Sequence, residues 1–278
     1  MTNNELYGTN VNDSFLHHVL DCFPKVITTK SNLPKDIEDV QLQRKVLVID
    51  GDDYCLANKA LTNEVVLRSK HIKESKNILS SLLELLDQNL GQKYEISSKE
   101  MYGNKKPWKE NKIEEMNTEG MIYVSYWTKV DDEHTVPLLF LSFMLTEEEN
   151  LTHNDPVSSV IFLYEIQISK ELRKQGLGQY LLSNCLFQCA KRLLDNDSLN
   201  LEFPFAGIEL TVFADNLPAI NLYQKLGMTH TPESPKDVLY DQNTRRRTRN
   251  SRKINNKNES PRILIKKPLY YMYWKPIL

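Results

Sequence analysis

Residues 157–182 read VSSVIFLYEIQISKELRKQGLGQYLL. The first twelve are an apolar run rich in β-branched and aromatic residues, the pattern of a buried strand. Then come a basic pair, two glycines and the start of an apolar helical pattern. Glycine has no Cβ to hold a ligand away, so backbone N–H groups around Gly176 and Gly178 can point at one anion together. The helix that opens there adds the positive end of its dipole and its unpaired first-turn donors. Arg173 and Lys174 bring positive charge to the rim. A strand, a bare turn and a helix also make a plain tight connection, so the turn alone leaves both readings open. It lacks the lysine and hydroxyl of a nucleotide P-loop, and its glycine spacing is too short for a dinucleotide fingerprint. A ligand held there carries phosphate without being an evident ATP or NAD.

Outward from this turn the chain alternates. "GMIYVSYW", "TVPLLFLSFMLTEE" and "SSVIFLYEIQI" are three successive strands joined by polar connections, which suits an antiparallel meander. Before them "KESKNILSSLLELLDQNLG" has leucines at helical spacing and predicts a helix stopped at Gly91. "MYGNKKPWKENKIEEM" reads as a loop with an aromatic pair and a short helix. After the turn, "GQYLLSNCLFQCAKRLLD" predicts one long helix, "GIELTVFA" a strand, "NLPAINLYQKLG" a helix opened by Asn216, and "KPLYYMYW" a last strand. The class is α/β around a mixed, mostly antiparallel sheet flanked by helices. Residues 1–60, with a helix near "VNDSFLHHVLDCF" and a strand at "RKVLVID", are expected to be a partly ordered peripheral extension to a main domain over 61–278.

The 278 residues carry a net charge of −2. Residues 236–262 hold nine Lys or Arg against three Asp or Glu and almost nothing apolar, so a disordered loop insertion is expected there. Removing its +6 leaves −8 on the remaining chain, an acidic body suited to a cationic substrate. The loop is either a solvated insertion or an electrostatic tether for ribosomes or nucleic acid. No apolar run is long enough to span a bilayer, and the opening lacks signal-peptide character. Cys22, Cys55, Cys185 and Cys189 form no disulfide framework; Cys185 and Cys189 read as core residues, and no metal site is expected.

At "LYEIQISKELRKQGLGQYLL" and "ELTVFADNLPAINLYQKLG" the chain resembles the GCN5-related N-acetyltransferase (GNAT) superfamily, whose signature [QR]-x-x-G-x-[GA] falls on Arg173, Gly176 and Gly178. "MYGNKKPWK", "LYEIQI" and "LTVFADN" are similar to the N-terminal acetyltransferase D type, which acetylates the α-amino group of histones H-four and H-two-A. The resemblance implies acetyl-CoA as the anion, its pyrophosphate on backbone N–H groups of Lys174, Gln175, Gly176, Leu177, Gly178 and Gln179. It implies pantetheine along Ile166, Gln167 and Ile168, with Asn216 also near the cofactor.

Glu165 stands inside an apolar strand, where a carboxylate needs a partner or a task. Burial disfavours its charged form, which suits a general base, and the resemblance puts it at the base position. A pairing with a core arginine or tyrosine is the structural alternative. Deprotonating an α-amino group at pH 7 costs about 1 to 1.5 kcal/mol, against roughly 4 to 5 for a lysine side chain. The neutral amine would attack the thioester directly, with the oxyanion on a backbone N–H near Ile166. The resemblance makes Tyr223 a candidate acid for the departing thiolate. It also implies a peptide groove of Tyr102, Trp108, Glu147, Glu148, Tyr164, Thr211 and Tyr270 for a tail beginning Ser-Gly-Arg-Gly. Tyr270 and its neighbour Tyr271 exchange faces if the register slips by one. Expected partners are histone tails, with a monomer in cytoplasm and nucleus. A lysine or small-amine acetyltransferase and a non-catalytic acyl-CoA-binding module are the alternatives.

Overall fold

A computed structural model describes residues 10–30, 39–49, 66–68, 72–132, 134–151, 156–195, 201–241 and 263–277. Its first part is α1 (Asn10–Cys22), β1 (Val26–Lys30), β2 (Asp39–Val48) and β3 (Val66–Arg68). Next come α2 (Ile72–Tyr102), α3 (Trp108–Met116), β4 (Ile122–Lys129), β5 (Thr135–Glu149) and β6 (Val157–Ile168). After the glycine turn the chain forms α4 (Leu177–Tyr180), a π-helical turn at Leu181–Leu186, α5 (Phe187–Leu194), β7 (Phe205–Phe213) and α6 (Leu217–Lys225). It closes with β8 (Thr229–His230), β9 (Val238–Asp241), β10 (Ile263–Lys266) and β11 (Tyr270–Pro276).

The central sheet runs β1-β2-β4-β5-β6-β7-β11-β8, with β3 beside β2. β4, β5 and β6 form the expected antiparallel meander. β6 and β7 are parallel, because a helix crosses over between them. Each face of the sheet carries its own core. On one side α1, the 177–194 helix and α6 pack on Leu141, Leu163, Ile208 and Leu210. On the other, α2 and α3 pack on Tyr123, Trp127 and Phe140.

The structure departs from the sequence expectations at several places. Gly91 does not end α2, which continues to Tyr102; a single glycine weakens a helix by about 1 kcal/mol, and the packing of Leu86 and Tyr94 on the sheet outweighs that. The helix after the glycine turn is interrupted by the π turn at Leu181–Leu186. Residues 10–30 and 39–48 are not peripheral: Phe15, Leu16, Val19 and Phe23 are buried in the main core, and β1 and β2 extend the sheet. Within the basic stretch expected to be disordered, Val238–Asp241 is a strand paired with β10; the other residues of that stretch from 242 to 262 lie outside the described residues. Among the described residues no helix is long and apolar enough to cross a membrane.

Candidate active site

The β6–β7 ladder ends at Leu163 opposite Leu210, while β6 continues to Ile168 and β7 to Phe213 on β11. The two strands therefore diverge, leaving the β7 side of Tyr164–Ile168 without a strand partner. At this point β6 also bulges: Ser142 pairs with Glu165 and Phe143 with Leu163, so Tyr164 is the extra residue. The bulge turns Glu165 to the α2 face alongside Tyr164, whereas strict alternation would send it into the opposite core. Ile166 and Ile168 then pack on that opposite core.

Glu165 is 7% exposed and fully partnered. The Tyr94 hydroxyl donates to its Oε1 at 2.7 Å, and the Gln167 amide to its Oε2 at 2.7 Å. The Lys112 ammonium, 2% exposed, lies 2.6 Å from Oε1 and also binds Glu115. Burial opposes the charge on Lys112, but Glu165, Tyr94 and Glu115 together hold it well above the usual lysine range. Burial and then Glu165 push the Tyr94 hydroxyl up, so it remains a donor. The cluster has two carboxylates for one ammonium, a surplus of negative charge that favours an incoming amine. The partners are Tyr94, one of the two kinds that the sequence left open, and Lys112 in place of the expected arginine, so isolated burial does not describe Glu165.

The chain of contacts continues towards the glycine turn. Asn89 donates to Gln167 Oε1 at 3.0 Å and to the Ile168 carbonyl at 3.1 Å, and Arg173 binds Asn89 and the same carbonyl. The Ile168 carbonyl is thus already accepting two side chains. In the turn, Lys174 and Gly176 have φ of 64° and 80°, and no atom stands within 4 Å of where a Gly176 Cβ would project. At Gly178 an added Cβ would meet Leu222 at 3.2 Å and Ile168 at 3.5 Å, so this glycine brings helix, strand and α6 together. Leu177 is buried in the core. Gln175 spends its side chain on β1, accepting from the Thr29 hydroxyl at 2.7 Å and donating to the Lys30 carbonyl. Gln179 accepts from Lys225 at 3.2 Å. Asn216 opens α6 without a side-chain cap bond.

Tyr223 is buried, and burial followed by the charge of Glu165 pushes its hydroxyl above the usual tyrosine range, so it holds its proton. Of the expected groove residues, Tyr164 and Tyr102 are half-buried, and Tyr102 donates to Glu115 at 3.3 Å. Thr211 is exposed on β7; Tyr270 is 40% exposed and opposite Phe213, while Tyr271 is in the core, so the register places Tyr270 on the α2 side. Trp108 differs from its expected role: it is buried and stacks on Tyr94 at 5.3 Å, backing the site from behind. Glu147 also differs. Strand alternation puts it with Leu145 on the face away from Glu165, whereas Glu148 shares the α2 face and is half-buried.

Sequence reasoning missed Asn89, Tyr94, Lys112, Glu115 and Glu209. Tyr94 lay past the supposed stop at Gly91, and Lys112 sits in a charged segment that reads as solvent-facing. The isolated carboxylate of "GIELTVF" was the one legible signal, since Glu209 breaks an apolar strand as Glu165 does.

The strands diverge beside Glu165, and the positive-φ turn and the first-turn N–H groups of α4 follow the end of β6, an arrangement able to accept an anion. A family model described as the acetyltransferase (GNAT) family matches residues 140–228. The chain is 33% identical over 269 residues to N-alpha-acetyltransferase 40 of Saccharomyces cerevisiae, covering 93% of this chain and 86% of that protein. Among solved structures, Arabidopsis thaliana NAA60 in complex with a bisubstrate analogue aligns over 67% of this chain and 93% of that chain, at 13% identity and a TM-score of 0.37. The family model and the yeast relative carry the assignment. Acetyl-CoA supplies this family's activated acetyl group, and the turn leaves open space above Gly176. The chain belongs to the GNAT family of acetyltransferases.

Proposed function

We propose that this chain is an N-terminal acetyltransferase of the D type, moving acetyl from acetyl-CoA to the free α-amino group of tails beginning Ser-Gly-Arg-Gly, as in histones H-four and H-two-A. The observation that carries the reading is the yeast N-alpha-acetyltransferase 40, similar along nearly the whole chain. The site chemistry supports it. Glu165 takes the amine proton directly or through one water, held at the strand divergence by Tyr94, Gln167 and Lys112. An α-amine needs only a weak base at neutral pH, because its reference pKa lies near 8. A backbone N–H near Ile166, where β6 has parted from β7, is the donor for the charge that gathers on the carbonyl oxygen. Tyr223, kept protonated, is the donor for the departing thiolate.

The test is mass spectrometry after incubation with acetyl-CoA of two peptides: Ser-Gly-Arg-Gly-Lys with a free amino end, and the same peptide with that end blocked and its lysine free. Acetylation of the first alone is expected. Modification of the second alone would move the reading to lysine, and reaction with neither despite acetyl-CoA binding would leave a non-catalytic module. Glu165→Gln is expected to lower kcat at least about 100-fold while sparing acetyl-CoA binding. Full turnover by that variant would remove Glu165 from the base role.

A further inference from the structure

Cys22, the last residue of α1, is half-buried, and Cys189 lies in the core on α5. α1 packs against α5 and the π turn before it, and this brings the Cys22 and Cys189 thiols into a hydrogen bond with each other. The Cys189 sulfur also donates to the His18 carbonyl at 3.5 Å. Helical hydrogen bonding aims that carbonyl at the Cys22 N–H one turn on, so Cys189 stands beside the backbone of Cys22 as well as its thiol. Cys185, one turn before Cys189, is buried and accepts from the Tyr180 hydroxyl.

The three thiols differ in reactivity. The hydrogen bond from Cys189 pulls Cys22 below the usual thiol range; burial opposes this, the Arg192 guanidinium assists, and Asp21 opposes. Arg192 reaches from α5 to Asp21 at 3.0 Å, which holds its cation over the end of α1. Burial pushes Cys185 up to about 12 and Cys189 far above the thiol range. Of the three, only Cys22 combines thiolate character with access to solvent, and a second sulfur already touches it.

We propose that Cys22 and Cys189 form a modification site, at which a hydroperoxide closes a reversible disulfide between α1 and α5. With hydrogen peroxide, the Cys22 thiolate attacks one oxygen and the O–O bond breaks. Cys22 becomes a sulfenic acid, and the departing hydroxide takes up the proton that Cys22 released, leaving as water. The Cys189 sulfur then attacks the sulfenic sulfur, its S–O bond breaks, and the Cys189 proton leaves with that hydroxide as a second water. The two sulfurs give up two electrons and the peroxide gains both. The bond links the N-terminal helix to the segment that opens at the glycine turn and restricts the unfolded chain, so the oxidised fold is the more stable one.

The experiment treats the full-length protein with hydrogen peroxide, blocks the remaining thiols with iodoacetamide in denaturant, and maps the cysteines by mass spectrometry of a non-reduced digest. Expected is a Cys22–Cys189 peptide pair within one chain, with a melting temperature about 5 °C above that of the reduced protein, both reversed by dithiothreitol. Cys22→Ser should lose the pair and the shift, while Cys185→Ser keeps both. Cys22 joined to Cys185, to Cys55 or to another molecule would overturn the proposal. So would Cys22 carried to sulfinic acid beside an alkylated Cys189, or Cys22 left unoxidised. The wild-type map decides the pairing without any variant, and Cys22→Ala replaces Cys22→Ser should that variant, reduced, melt below the wild type.

Discussion

Glu165 is buried with three partners and Glu209 with none, and the difference sets how each responds to substitution. Lys112 holds the first of these carboxylates, so Lys112→Ala leaves a buried charge uncompensated and should cost about 3–5 kcal/mol, read by urea unfolding. A loss under about 1 kcal/mol would mean that Glu165 keeps water in the lysine's absence. At Glu209 the folded carboxyl binds its proton up to about pH 8, against 4.5 for the free group. Between those values the unfolded chain releases a proton that the folded chain retains, so stability falls as pH rises and levels off above about 8. Glu209→Gln should therefore match the wild type near pH 4.5 and melt at a higher temperature at pH 9. A melting difference independent of pH would remove Glu209 as its source.

At the scale of elements, the glycine turn and the bulge in β6 do separate jobs. The turn needs φ near +80° at Gly176 with nothing above it, a conformation that costs an L-residue about 1–2 kcal/mol. Gly176→Ala should lower stability by that amount and weaken acetyl-CoA binding several-fold by calorimetry; unchanged affinity would mean that the cradle does not depend on this backbone. The turn was legible because glycine in that pattern has a direct steric meaning. The bulge was not: "LYEIQI" alternates cleanly on paper, and only the pairing with β5 shows Tyr164 as the extra residue that turns Glu165 towards α2. The identity of Glu165 could be read from an apolar strand, but the side it faces could not. Gly91 is the converse case, where a local stop signal lost to the packing of Tyr94 and its neighbours.

Across the whole molecule, one sheet separates two cores and the site opens where β6 and β7 part between them. The N-terminal helix belongs to this architecture. Phe15 is buried against Phe143, their ring centroids 5.9 Å apart, and β1 reaches Gln175 in the phosphate turn. Phe15→Ala should cost about 3–5 kcal/mol by urea unfolding. Less than about 1 kcal/mol would return this segment to the status of an accessory extension.

From its amino acids alone the chain showed the β4–β6 meander, the glycine turn, the helix opened at Asn216 and a carboxylate out of place at position 165. Each of these is a local pattern, decided by side-chain periodicity or by what a Cβ permits. Tertiary structure decided the rest: that Lys112 and Tyr94 meet Glu165, that Glu147 and Glu148 part to opposite faces, that Trp108 backs the site, and that Glu209 is left without a partner. Those facts depend on register and on packing between segments far apart in the chain, and a one-residue shift in pairing is enough to reverse them.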